Sequence, residues 1–246
     1  MPASWSGTLS TGRSEAIHHD SRLPLPVAVR VHPRARRVKL RLDQTRDLLL
    51  LTCPPRSSRR AALDWAAGQR DWVIAQLAAA APTVALEPGA MIPFDGRETR
   101  LEWRAHGARN VALTDGILSC GGPREAYSRR VESWLRARAR DLLSADTAEA
   151  ARRAGVTVRR VSVGDADSRW GSCSASGSIR YNWRLVLAPP EVRRWVVAHE
   201  VAHRLHMNHG PAFKALEAEL FDGDADAARL LLRRLGPGLR RIGRRL

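Results

Sequence analysis

Long apolar runs are missing from this chain of 246 residues. Nothing in it approaches the roughly twenty consecutive apolar residues that cross a bilayer, and Met1 to Asp20 lacks the apolar core of a secretory signal. The expectation is a cytoplasmic protein without a membrane partner. Cysteine is scarce: Cys53, Cys120 and Cys173 make an odd count of three with no CxxC pair, which argues against a disulfide framework and suits a reducing compartment. Lysine is almost absent, with Lys39 and Lys214 alone, so the formal net charge of +16 rests on arginine. A Gly-rich phosphate loop and a carboxylate cluster for magnesium are also lacking, which weighs against nucleotide chemistry.

What remains is an ordinary globular composition, 44% hydrophobic, long enough for one large or two modest domains. The arginines are spread along the chain. Their summed field would attract phosphate-rich or acidic partners, which makes nucleic acid a candidate partner through a basic surface.

Residues 1–24 are polar and aperiodic and read as a flexible lead-in. Val27–Val31, Arg37–Leu42 and Leu48–Leu51 are strand candidates, the last two joined by a polar turn over Asp43–Asp47. Ser57 or Ser58 can cap a helix to about Ala80, with Trp65 and Trp72 as packing anchors. Short strands at Met91–Phe94, Arg97–Trp103, Val111–Leu113 and Ile117–Cys120, separated by Asp-Gly and His-Gly turns, suggest a second small antiparallel sheet. The break at Gly121-Gly122-Pro123 is the natural domain boundary. It closes a β-rich amino-terminal region with one helix (25–122) and opens a second domain (123–236), leaving a basic tail (237–246). The second domain begins with a long helix to about Ala154, followed by a strand over Val156–Val163. A hairpin then runs from Ser168–Cys173 through a Ser-Gly turn to Ser178–Leu187. Pro189-Pro190 stops that strand and suits the first turn of a helix.

That helix carries His199-Glu200-Val201-Ala202-His203. Positions i and i+4 share a helical face, so His199 and His203 can aim at one cation with Glu200 beside them. Zinc takes nitrogen ligands tetrahedrally and, when catalytic, keeps a position for water, whose proton needs a base such as Glu200. A third ligand must come from elsewhere. His209 lies six residues past His203 and would point about 240° away on a continuing helix. Asn208, Gly210 and Pro211 permit the helix to end near Met207 and the chain to turn His209 back. His206, Glu217 and Glu219 are the rival ligands, and Cys173 remains open as a sulfur ligand. Arg169, Tyr181 and Asn182 are candidates for substrate positioning or oxyanion stabilisation, and equally for structural hydrogen bonding.

The run Arg169-Trp170-Gly171-Ser172-Cys173, with Gly177-Ser178-Ile179, Asn182-Trp183-Arg184-Leu185, Ala188-Pro189-Pro190 and His199 through Gly210, resembles the YgjP-like metallopeptidase family, which is related to SprT-like proteases. The spacing from His203 to His209 also equals that of metzincins, but His206 stands at their turn glycine and no Met-turn follows. The resemblance implies an α+β chain in which a small antiparallel β/helix region precedes a zincin-like catalytic domain, its HExxH helix packed on a small sheet. It further implies Zn2+ held by His199, His203 and His209, Glu200 as catalytic base, and a peptide or protein substrate aligned by an edge strand of the hairpin. Two other functions stay open. One is a metal-dependent nucleotide phosphohydrolase. The other is a nucleic-acid-associated binding protein docking through Arg240-Arg241 and Arg244-Arg245.

Overall fold

Leu49, Leu51 and Cys53 alternate along one strand and are all fully buried, which sets the inner face of the first sheet. A computed structural model describes residues 16–43, 46–78, 82–166 and 169–244. The architecture is α+β, and the chain divides into two compact units, Met1–Ala80 and Ala81–Leu246.

In the first unit β1 (Ala16–His18), β2 (Val27–Val31), β3 (Lys39–Asp43) and β4 (Leu48–Cys53) form a sheet in the order β1-β2-β4-β3. The β3–β4 hairpin is antiparallel, but β2 pairs with β4 in parallel, because the chain passes to the far edge before returning. Val27, Val29, Leu49 and Leu51 pack on Ala62, Ala66 and Val73. Part of the expected lead-in is therefore ordered: β1 pairs antiparallel with β2 and covers an edge that would otherwise be open. Residues 1–15 of that lead-in lie outside the described residues. The expected single helix is two, α1 (Arg59–Ala67) and α2 (Arg70–Ala78), with Ser58 Oγ accepting the Ala61 N–H at 3.3 Å to cap the first. The break falls at Gly68, a residue that costs a helix interior about 1 kcal/mol. Trp65 and Trp72 are 43% and 40% exposed, so small residues and Val73, rather than the indoles, fill this core.

The second unit starts with β5 (Met91–Phe94), β6 (Arg97–Trp103), β7 (Ala112–Thr114) and β8 (Ile117–Cys120), ordered β5-β6-β8-β7. This sheet is mixed rather than antiparallel, since β6 and β8 run parallel. The Gly121–Pro123 break lies inside the unit, because Ile92, Leu101, Leu118 and Cys120 share one core with Tyr127, Val131, Val186 and Leu187. Helix α3 (Tyr127–Arg153) buries Tyr127, Val131, Leu135, Ala139, Leu143 and Thr147, a strict four-residue spacing that lays one face on that core.

Strands β9 (Arg160–Gly164), β10 (Gly171–Cys173) and β11 (Ser178–Asn182) form a three-stranded sheet ordered β10-β11-β9, leaving β10 at an edge. Two expected strands are shorter here. The first begins only at Arg160, and the second ends at Asn182, whose Oδ1 accepts the Arg184 N–H at 2.9 Å and caps a 3-10 helix over Trp183–Leu187. Then follow α4 (Pro190–Ala202), α5 (Pro211–Leu220) and α6 (Ala225–Arg241).

The first half of the expected basic tail, 237–241, belongs to the end of α6. Pro237 sits inside this helix and costs a backbone hydrogen bond. Burial offsets that cost: Leu232, Gly236 and Leu239 are buried, and a Cβ on Gly236 would stand 3.2 Å from the Trp170 ring. Arg240 stacks 4.2 Å over Trp170 and donates to the Ala166 carbonyl, and the Ile242 carbonyl accepts from Arg184 Nε at 2.8 Å. Arg240 thus serves the fold rather than a free tail; Arg245 lies outside the described residues. No helix among the described residues is long and apolar enough to cross a membrane.

Candidate metal centre

Helix α4 is held from three sides. Pro190 starts it, Glu191 lies in its positive first turn, and Val192, Val196, Val197 and Val201 face the core. Each fully buried valine stabilises by roughly 1.5–3 kcal/mol. Arg193, 5% exposed, ties the helix to its surroundings: its Nε donates to Asp146 of α3 at 2.8 Å and its Nη1 pairs with Asp95 of the β5–β6 turn. An unpaired buried guanidinium would be costly, so these two carboxylates fix the position of α4.

The helix ends earlier than Met207. His203 is already its C-cap, and the amides of Arg204, Leu205 and His206 fold back onto the carbonyls of Val201 and Ala202. This tight reversal carries His209 back over α4, so that its Nε2 lies 3.3 Å from Nε2 of His199. One nitrogen from each of His199, His203 and His209 falls within 4.8 Å of the others. The Phe213 ring of α5, 1% exposed, lies 4.6–5.0 Å from all three imidazoles and forms the floor beneath them.

The tautomers follow from the partners. His199 Nδ1 is 2.7 Å from Glu217 Oε1. Burial opposes ionisation of Glu217, but the hydrogen bond from His199 and the charge of Arg229 hold its carboxyl below the usual range. An ionised carboxylate only accepts, so Nδ1 of His199 donates to it and Nε2 is the nitrogen turned toward the cluster. His203 Nδ1 lies 3.0 Å from the His206 carbonyl, which also only accepts, and burial pushes the His203 pKa down toward the neutral form. Nitrogens gathered in this way could hold a metal ion. Glu217 and the His206 carbonyl hold the two rings in these orientations.

Glu200 sits next to this cluster, 6% exposed. Burial pushes its carboxyl up to about 7, against the charge of Arg169 and a hydrogen bond from the Cys173 N–H. It lies directly against Gly171 of β10: a Cβ there would come 2.6 Å from Glu200 Cγ. Only a residue without a side chain leaves the carboxylate this place.

The remaining candidates separate. Tyr181 is 1% exposed with its hydroxyl 3.0 Å from Thr147 Oγ1, so it braces the β11–α3 packing. Asn182 is spent on the Arg184 N–H and the Ala166 carbonyl. Arg169 is exposed and close enough for its charge to act on Glu200. His206 contributes its carbonyl to His203, and Glu217 bonds the His199 ring. Cys173 lies outside the three-histidine group; its thiol is pushed up by burial and its amide serves Glu200. The orienting role of Glu217, the floor made by Phe213 and the clearance at Gly171 are not legible from spacing alone. The one available signal is that Phe213 and Glu217 stand four apart on one face of α5.

A buried carboxylate beside converging imidazoles is the equipment of a metal-dependent hydrolase. The comparisons with known proteins narrow this class. A family model described as the YgjP-like metallopeptidase domain matches residues 36–234, and the chain belongs to the YgjP-like family of metal-dependent peptidases. Among solved structures, the metallopeptidase zymogen abylysin of Pyrococcus abyssi is similar at 18% identity. That likeness covers 38% of this chain and 90% of the other, with a TM-score of 0.33. No curated protein matches the chain.

Proposed function

We propose that this chain is a zinc peptidase of the HExxH type, with a zincin-like catalytic unit in which His199, His203 and His209 hold the metal and Glu200 is the general base. The observation that carries this reading is the separation of the Nε2 atoms of His199 and His209, 3.3 Å. Zinc–nitrogen bonds of 2.0–2.1 Å in a tetrahedron place neighbouring nitrogens about 3.3 Å apart. Three imidazoles are a donor set suited to zinc.

A bound zinc ion supplies Lewis acidity toward a peptide carbonyl and toward water. Glu200 takes the proton of the attacking water as the new C–O bond forms, and returns it to the leaving nitrogen as the C–N bond breaks. A carboxyl held up to about 7 by burial suits both halves of that transfer near neutral pH. The Cys173 N–H and the clearance at Gly171 keep the carboxylate in its place, and Glu217 keeps the His199 ring turned with Nε2 outward. Strand β10 is an edge strand, and its free side offers backbone groups to an extended substrate.

The test combines metal analysis with digestion of an unfolded-protein mixture by wild type and Glu200→Gln. The expected result is one zinc per chain in both proteins and cleavage only in wild type, with a loss of at least about 100-fold, as for removal of a general base. Undiminished cleavage by Glu200→Gln removes Glu200 from this role.

A further inference from the structure

We propose that Arg169 and Arg180 form an anion-binding subsite for the substrate, taking a peptide carboxylate in the cavity on the outer face of the β10-β11-β9 sheet. The subsite presupposes the peptidase activity proposed above and names what that activity prefers. The cavity measures about 400 Å3 and is lined by Asp165, Arg169, Trp170, Ser172, Arg180 and Asn182, among others.

Its charge follows from which groups are already paired. The Asp165 carboxylate is held by Arg184 and Arg136 and approached by the Trp183 indole N–H at 3.4 Å, so it has little left for the cavity. Asn182 is likewise spent on backbone partners. Among the described residues neither Arg169 nor Arg180 makes a salt bridge. Two guanidinium groups therefore face a cavity whose one described acid is neutralised elsewhere. Guanidinium forks match the planar geometry of a carboxylate, which is why this residue type recurs where such groups are recognised.

Arg180 is also seated. Its guanidinium lies across Gly164, where a Cβ would stand 2.7 Å from Cζ, so the glycine makes the room in which the side chain lies flat. Ser172 and Arg180 are partners across the β10–β11 ladder and turn to the same face. The neighbouring Gly171 presents the opposite face to Glu200. The cavity and the proposed base thus lie on two sides of one three-residue strand. A substrate extended along the edge of β10 alternates its side chains, so every second one turns toward Ser172 and Arg180. The carboxylate that reaches the cavity belongs either to an acidic side chain in that register or to the end of a short substrate.

The experiment uses the full-length, zinc-loaded chain. Cleavage sites in a peptide mixture are mapped by mass spectrometry, and one cleaved peptide is then remade with Glu→Gln at each acidic position and, separately, with an amidated carboxy terminus. The expected result is acidic enrichment at one position. Glu→Gln there, or the amidation, should lower kcat/KM about tenfold or more, chiefly through KM, the scale of one hydrogen bond to a charged group. Loss on side-chain replacement assigns the subsite to an acidic residue, and loss on amidation to a terminal carboxylate. In Arg180→Gln the discrimination should collapse toward one, and in Arg180→Glu it should turn in favour of Lys at the same position. Zinc content checks that each variant is folded, and Arg169→Gln serves if the Arg180 variants are not. Cleavage with no acidic preference overturns the subsite while leaving the peptidase standing, as does a preference that survives in both Arg169→Gln and Arg180→Gln. Absence of cleavage of every peptide overturns the peptidase reading and the subsite with it.

Discussion

Replacing Gly171 by alanine separates metal binding from proton transfer. The added methyl would lie 2.6 Å from Glu200 Cγ, whereas ordinary contact starts near 3.4 Å. Something must therefore move on the order of 1 Å, a misplacement that can cost a well-aligned reaction about 100-fold. Helix α4 resists, since Arg193 pins it to Asp146 and Asp95 and its valines are buried, so the carboxylate gives way. The overpacking itself should cost about 1–3 kcal/mol in stability. The three atoms nearest to the added methyl all belong to Glu200, so zinc should stay. The assay is kcat/KM on a cleaved peptide together with zinc content and a urea melt of the same preparation. A Gly171→Ala variant with wild-type turnover would refute the placement of Glu200 against β10. Full zinc loss would refute the claim that the two functions are held by separate contacts.

Three further outcomes follow from particular contacts. Glu217→Gln removes the charge behind His199 while keeping an acceptor, and should weaken zinc binding by about 10–100-fold in a chelator competition; unchanged affinity would deny it the orienting role. Tyr181→Phe should lose about 1 kcal/mol of stability with the bond to Thr147 and leave kcat within about twofold, and a large fall in kcat would return Tyr181 to the substrate side. Asp165 has a folded pKa below its unfolded value, drawn down by Arg184 against the opposing effect of burial. Its contribution is therefore complete above about pH 4 and lost as pH falls through the folded value. In the zinc-free protein, Asp165→Asn should narrow the difference between urea midpoints at pH 7 and pH 3, and an identical difference in wild type and variant would contradict the ion pair.

Much of the local structure is legible in the sequence because it is periodic. Alternation marks β2 and β3, a short apolar run marks β4, the Ser-Gly break marks the hairpin, four-residue spacing marks α3, and the Pro-Pro step marks the start of α4. The errors cluster where distant segments compete for the same surface. β2 pairs in parallel with β4 because β3 takes the outer edge, and that choice depends on three strands at once. The Gly236-Pro237-Gly238 run looks like a helix terminator locally, yet Trp170 and the Ile242 carbonyl give its far side partners that offset the lost backbone bond.

The same division runs through the site. Sequence by itself puts His199, Glu200 and His203 on neighbouring faces of one helix, since 3.6 residues per turn requires no other part of the chain. It also determines that turn-forming residues follow. Tertiary structure alone decides which nitrogen of each imidazole is free, because that depends on Glu217, eighteen residues away, and on a carbonyl exposed by the early end of α4. It likewise decides that Tyr181 turns inward, that Gly171 makes room for Glu200, and that Arg169 and Arg180 come to line one cavity. Helical periodicity is a short-range property of the backbone, whereas the protonation, orientation and surroundings of a side chain are set by whatever the fold packs against it.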